Sequence, residues 1–381
     1  CGMPESILRT TEWTVQAVSP VHIGAGDRLS PLDYATTMRK GGVRWLVVYD
    51  FASLGVTDPA KLQELLRFIK PGTDWETLER RAKELGARDP SAARRYSIPL
   101  LTTGDPEEIV PLVRDAYDRA YLPGSSIKGA IRTALLYGWA MREPQKMREQ
   151  VLDAVKGQHR PSARGAGRGL EKEAFGRDPN HDVMRALRVG DSSAVAGQQG
   201  LRLRESVVPA TRLGSSDEEA LRQWLEVIGP SAQVEVRVTL DNHLFGDQCE
   251  PKLGFGRWKS DIENWPAACR RFSADLLEQQ AAMLKRLDKA GADWCRARKA
   301  EVERDTAGCL LSVGWGVGWE GKTVGMLMRD HEYADVKAAY MLAKGKRNPQ
   351  HYREGNYPAT CWGLCMNNGV RPFGWVRLQP K

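Results

Sequence analysis

The sequence predicts an α+β fold, and three observations carry that prediction. Strand-like alternation and helix-like spacing of apolar residues follow one another in short segments along the chain. No solenoid-like repeat runs through it. The 381 residues are 41% hydrophobic and 27% charged, which is ordinary globular composition at a length suited to two domains. The expectation is two related sandwich domains with a boundary near residues 210–232.

In chain order, Val15, Ala17 and Val21 alternate with polar residues and mark a strand that ends in a glycine turn. A second strand, nearly continuous in apolar residues, covers 43–51. Two amphipathic helices follow at 59–70 and 75–86, each ending near glycine or proline. "YSIPLL" and "EEIVPLVRDAYDRAYLPG" read as strands or hairpins. A helix runs from Ser126 to about Met141, with Pro144 after it, and another covers about 145–156. "DVMRALRVGDSS" and "LRLRESVVPATRL" read as a short helix and then strands. Residues 217–229, "DEEALRQWLEVIG", have helical spacing with Ser215 or Ser216 as cap. Val234, Val236, Val238 and Leu240 alternate in a half-buried strand. The longest helix is expected over 265–304, with a break at Gly291. "CLLSVGWGVGWEGKTVGMLM" reads as strand, glycine-tryptophan loop and helix, and "FGWVRLQ" as a closing strand.

Composition narrows the function classes. No apolar run reaches the roughly 20 residues that span a bilayer, and "CGMPESILRT" lacks a secretory core, so an intracellular, cytoplasmic protein with no membrane partner is expected. The 7 cysteines are scattered, which argues against a disulfide framework, and Cys361 and Cys365 form a lone pair short of a structural zinc set. The net charge of +8 favours an anionic partner. Residues 156–170 carry Lys156, Arg160, Arg164 and Arg168 among glycines with no acid. That composition suits a surface loop, and equally an arm that orders on nucleic acid.

Three motifs bear on function. In "YLPGSSIKGAIRTALL", 121–136, Ser125 or Ser126 can cap a helix whose buried face is Ile127, Ile131, Ala134 and Leu135. Lys128 and Arg132 project together, and Gly129 permits close approach to the first turn. Helix amides and two cations then make an anion site, although a capped amphipathic helix explains the same residues. In "SPVHIGAGDRLSPLDY", 19–34, Gly24 and Gly26 permit a tight turn, and His22 can bond a phosphate or serve structurally. Asp27 and Asp33 can hold a metal or simply form turns. In "SVGWGVGWEGKT", 312–323, Gly314, Gly316 and Gly318 expose backbone, Trp315 and Trp319 can stack on bases or pack under the loop, and Lys322 and Thr323 follow. "KLGFGRWKS", 252–260, is a weaker loop of this type with Arg257, Trp258 and Lys259. No nucleophile–base pair can be named, so no catalytic residue, metal or cofactor is assigned.

In this order the motifs resemble the RAMP superfamily of CRISPR–Cas proteins, and within it the fifth-subunit family of the type III-A (Csm) effector complex. "PVHIGAGDRLSPLDY", "VGDSS" at 189–193 and "FGWVRL" carry the finer likeness. The resemblance implies two ferredoxin-like (RRM-like) domains with helical insertions and glycine-rich loops, expected at 1–230 and 231–381. It implies a non-catalytic subunit that binds CRISPR RNA at its 3′-proximal end and caps a filament of related subunits. The implied partners are CRISPR RNA, the neighbouring backbone RAMP subunit and the small subunit, with target RNA as a further candidate. The alternative is a RAMP endoribonuclease using His22 or Asp27. The expected RNA contacts are His22, Gly24, Gly26, Ser125, Ser126, Lys128, Gly129, Arg132, Gly314, Trp315, Gly316, Gly318, Lys322 and Thr323.

Overall fold

The computed structural model describes residues 7–102, 104–153, 167–196, 200–206, 223–285, 288–340, 363–366 and 369–381. Strand β1 (Leu8–Ala17) lies in the middle of a five-stranded antiparallel sheet. Its neighbours are β9 (Gln233–Asp241) and β13 (Trp375–Pro380), and the edges are β6 (Leu187–Val189) and β10 (Cys309–Ser312). Val234, Val236 and Val238 of β9 are buried while the residues between them are exposed, as the alternation predicts. Helices α3 (Gly124–Arg142) and α6 (Trp265–Leu284) lie against one another, and both supply buried residues to the sheet's core. Tyr137 of α3 meets Phe272 of α6 edge-on at 5.1 Å and donates its hydroxyl proton to Asp275 at 2.8 Å. Ser273 of α6 donates to the Leu310 carbonyl of β10 at 2.7 Å.

The path β1–α3–β6–β9–α6–β13, with sheet order β13-β1-β9-β6, is the split βαβ connectivity of a ferredoxin-like unit. Its strands come from both sides of residue 230, the expected domain boundary, which itself falls in the turn between β8 (Gln223–Ile228) and β9. The second sheet has another connectivity, β2-β3-β4-β7-β8-β5, built from β2 (Tyr34–Arg39), β3 (Val43–Tyr49), β4 (Arg94–Leu101), β5 (Ile109–Val110), β7 (Leu201–Ser206) and β8. Leu46 and Val48 of β3 face the main core, and Val47 and Tyr49 face a smaller one. The smaller core is closed by α1 (Pro59–Phe68) and α2 (Trp75–Glu84), which start on the caps Asp58 and Asp74.

Several elements differ from expectation for local physical reasons. Residues 223–228 form strand β8, not part of a helix at 217–229, while 217–222 lie outside the described residues. Strand alternation puts Leu225 and Val227 in one apolar cluster and turns the side chain of Glu226, fully buried, onto three donors. Those donors come from residues more than 100 positions away, so no local pattern discloses them. The long helical stretch breaks before Asp288, whose carboxylate caps α7 (Lys289–Arg304) by accepting from the Ala290 and Gly291 amides. Gly291 therefore lies in the first turn of α7 and is not the break. Strand β2 gave no sequence signal of its own. Its Tyr34, Ala35, Thr36 and Thr37 are all buried, because both of its faces are covered. The 252–260 segment is packed structure: Trp258 is buried and donates to the Ala174 carbonyl at 2.8 Å. The arm at 156–166, Cys361 and the residues proposed to cap a 217–229 helix lie outside the described residues.

Candidate nucleic-acid interface

The three motifs, distant in sequence, meet at one groove of about 610 Å³. Gly24 and Gly26 form one rim with His22 at its base, Gly314, Trp315 and Lys322 form the other, and α3 supplies the floor. The α3 residues are Ser126, Gly129, Ala130 and Thr133, spaced i, i+3, i+4 and i+7, so one small-residue face lies along the groove. A methyl group on Gly129 would meet nothing within 4 Å, which leaves the helix backbone open there.

The two glycine loops hold each other. Gly314 has φ of 83°, a backbone that L-residues rarely adopt, and a β-carbon on it would sit 2.3 Å from the His22 carbonyl oxygen. The Trp315 amide donates to that same oxygen at 2.8 Å. Trp315 also packs edge-on against Phe373 at 5.3 Å and His22 at 6.2 Å. Gly316 (φ 80°) presses on Phe373, while Gly318 (φ 78°) has open space around it. Thr323 is half-buried and not among the groove residues, and its hydroxyl accepts from the Gly325 amide at 3.1 Å. Trp319 packs on Tyr333 at 5.2 Å and is not among the groove residues.

His22 is 1% exposed. Its Nδ1 lies 2.7 Å from the Glu226 carbonyl oxygen, so Nδ1 carries the proton and donates. Burial lowers its pKa below the usual value, outweighing the opposing pull of that bond and of the Glu226 charge. The ring is therefore neutral near pH 7, with Nε2 close to Gly24. Beneath it the Glu226 carboxylate accepts from the Tyr96 hydroxyl at 2.6 Å, the Arg114 guanidinium at 2.8 Å and the Leu112 amide at 3.0 Å. The Arg114 guanidinium stacks 3.6 Å from the Tyr96 ring centre. Of the groove residues, among those described, Lys322 carries the formal charge, and no carboxylate is paired with it.

The start of α3 differs from the expected serine cap. Pro123 is the N-cap residue, and the Asp191 carboxylate accepts from the Gly124 amide at 2.8 Å. "VGDSS" docks there: Ser192 accepts from the Leu122 amide at 2.9 Å through its hydroxyl, and its own amide donates to the Leu122 carbonyl at 3.0 Å. A β-carbon at Gly124 would meet the Val189 and Gly190 carbonyls at 2.3 and 2.5 Å, so glycine is required by that contact. Ser125 is exposed in the first turn and does not cap it.

Lys128 and Arg132 are not in the groove. They point from the other flank of α3 into a separate cavity of about 700 Å³. There Arg132 is held by Asp182 at 2.8 Å and Glu171 at 3.0 Å, with its guanidinium over the Phe175 ring at 4.2 Å. Asp33 forms a turn, accepting from the Ser30 amide and hydroxyl at 2.8 Å, and Asp27 is exposed. Sequence reading missed Ala130 and Thr133, although their spacing from Ser126 was visible. It also missed Glu226, Arg114 and Tyr96, which no local spacing connects.

A family model described as the RAMP superfamily matches residues 14–213. A protein of Methanocaldococcus jannaschii described as "CRISPR system Cms protein Csm5" is 22% identical over 396 aligned positions, covering 97% of this chain and 88% of its own length. Among solved structures, a chain of a type III-A Csm–crRNA–target RNA ternary complex superposes with a TM-score of 0.68 at 23% identity, covering 97% of this chain and all of that one. The crystal structure of a Csm5 from T. onnurineus gives 0.61 at 23% identity, covering 95% of this chain and 99% of that one. The structural matches are likenesses of fold, and they extend over almost the whole length in which β1 and β13 close one sheet. The family match spans the first two of the three groove motifs, and on it the chain belongs to the RAMP superfamily.

Proposed function

We propose that this chain is a non-catalytic RNA-binding subunit of a type III-A Csm effector complex, a cytoplasmic assembly, and that it caps the RAMP backbone at the 3′-proximal end of CRISPR RNA. The observation that carries the reading is the convergence of His22, Gly24 and Gly26, of Ser126, Gly129, Ala130 and Thr133, and of Gly314, Trp315 and Lys322 on one groove. Its lining combines glycine backbone, small polar side chains, the aliphatic side chains of Ile23, Val110, Val313 and Val317, the His22 and Trp315 rings and one lysine, which suits a sugar–phosphate chain with a base against the Trp315 ring. The relatives' names and the fold likeness support the choice of complex. The neighbouring backbone subunit and the small subunit are the protein partners in this reading.

The ribonuclease alternative has less support in the site. His22 is buried and neutral, and Asp27 stands on an exposed loop; among the described residues no cluster of three or more potential metal ligands exists. No helix among the described residues is long and apolar enough to cross a membrane.

Titrating labelled single-stranded RNA against wild type and Lys322→Gln over a range of salt tests the groove. The variant is expected to bind several-fold more weakly, with the log–log salt slope reduced by about 0.7 for one lost phosphate contact. Unchanged affinity and slope would remove Lys322 from the interface. Magnesium-dependent or metal-free cutting that disappears in His22→Ala or Asp27→Ala would replace the non-catalytic reading.

A further inference from the structure

The cavity on the far flank of α3 has a charge surplus that its own structure does not use. It is lined by the cations Lys128, Arg132, Arg168, Lys172, Arg177 and Arg185, and by the acids Glu171, Asp178 and Asp182. Every acid is already engaged: Glu171 and Asp182 hold Arg132, and Asp178 lies 3.3 Å from Arg177 and 2.9 Å from His181. Lys128, Arg168 and Lys172 have no carboxylate partner among the described residues. Lys128 is half-buried, and burial, with the smaller effect of the Arg132 and Arg188 charges, disfavours its ammonium form by more than the nearby Asp182 carboxylate favours it, and that carboxylate is already paired with Arg132.

Placement adds a second observation. Arg168 and Lys172 are i, i+4 on helix α5 (Arg168–Phe175), so they project together, and both are exposed. Arg168 stands in the first turn, at the positive end of the helix, where a cation is disfavoured. The chain carries a helix-destabilising charge at a cavity mouth already rich in cations. The glycine groove, in contrast, supplies a single lysine. Helix α3 separates the two, with its small-residue face on one side and Lys128 and Arg132 on the other.

We infer that the Lys128–Arg168–Lys172 cavity is a second, phosphate-gripping site that holds the backbone of the same RNA strand after it crosses α3 from the glycine groove. The inference rests on the reading of this chain as an RNA binder and assigns most of its electrostatic affinity to residues outside the groove. The groove orders sugar and base, and the cavity holds phosphates. Cations free of carboxylates favour a strand of phosphodiesters, because each contact releases a counterion without first breaking an internal ion pair.

The test uses the full chain and a labelled mixed-sequence single-stranded RNA, comparing wild type, Arg168→Gln/Lys172→Gln, the charge-keeping Arg168→Lys/Lys172→Arg, and Lys322→Gln. Both α5 positions are exposed, so the glutamine pair is expected to fold, and an unchanged thermal midpoint verifies it. The glutamine pair should weaken binding on the order of tenfold at about 150 mM salt and lower the salt slope by about 1.4, two contacts at roughly 0.7 each. The charge-keeping pair should retain most of the affinity. An RNA affinity and slope unaltered in the glutamine pair would overturn the cavity, while loss in Lys322→Gln alone would leave the groove reading intact. Loss in the glutamine pair with none in Lys322→Gln would keep the cavity and remove the groove. Inorganic phosphate competing as well as RNA, phosphate for phosphate, would overturn the strand in favour of a free-phosphate pocket. Selective loss of polyglutamate binding with RNA binding intact would overturn it in favour of an acidic protein segment.

Discussion

The imidazole of His22 donates from Nδ1 to the backbone carbonyl of Glu226, 204 positions away, across 2.7 Å of buried space. This bond ties the first glycine loop to strand β8, and the same histidine's carbonyl receives the Trp315 amide of the second loop. One residue thus fixes both rims of the groove, which accounts for its burial better than proton transfer does.

The depressed pKa of His22 has a pH signature. The folded ring resists protonation, so its contribution to stability is complete above the ordinary value of about 6.5 and is lost as pH falls below that value toward the folded pKa. The stability advantage of wild type over His22→Gln should therefore shrink between about pH 6.5 and 5, by at most about 1.4 kcal/mol per pH unit. Thermal midpoints of both proteins across pH 5 to 8 check this. A difference that stays constant would mean that His22 is not buried in neutral form.

Glu226 and Arg114 form a buried ion pair with side-chain exposures of 0% and 8%. Removing one partner strands the other charge, so Glu226→Ala is expected to cost about 3–5 kcal/mol in chemical denaturation. Glu226→Leu combined with Arg114→Met should cost less than the sum of the two single changes, because neither charge is then left alone. Additive losses would show that the pair is not coupled.

Gly314 combines a left-handed backbone with contact against the His22 carbonyl. Gly314→Ala should destabilise the protein by about 1–3 kcal/mol and weaken RNA binding as the two loops separate. Gly318→Ala carries the same backbone strain but meets nothing within 4 Å, so it should spare the loop junction. Equal RNA affinities for the two variants would place the junction outside the binding surface.

Much of the local structure is legible in the sequence. The alternation of Val234, Val236 and Val238 gives β9, and the spacing of Ile127, Ile131 and Leu135 gives the buried face of α3. What escapes is set by distant partners. Strand β8 looks helical until Glu226 is matched with Tyr96, Arg114 and Leu112. The start of α3 looks like a vacant anion site until Asp191 is found on its first amide. The three motifs do meet at one groove, yet spacing alone placed Lys128 and Arg132 with the glycine loops, and the helix turns them to its other flank.

The middle of the five-stranded sheet holds a constraint on how the protein comes into being. Ser19 follows the first strand, and its hydroxyl accepts from the amide of Trp375 at 3.0 Å, 356 residues later. During synthesis β1 therefore waits, one side unpaired, until β13 has been translated. A chain stalled before Phe373 would have both glycine-bearing rims translated and yet lack the strand and Phe373 that brace them. Ribosome-bound truncations ending before Phe373 should stay protease-sensitive at 19–26. On that timetable, the groove takes its shape only after β13 has been made.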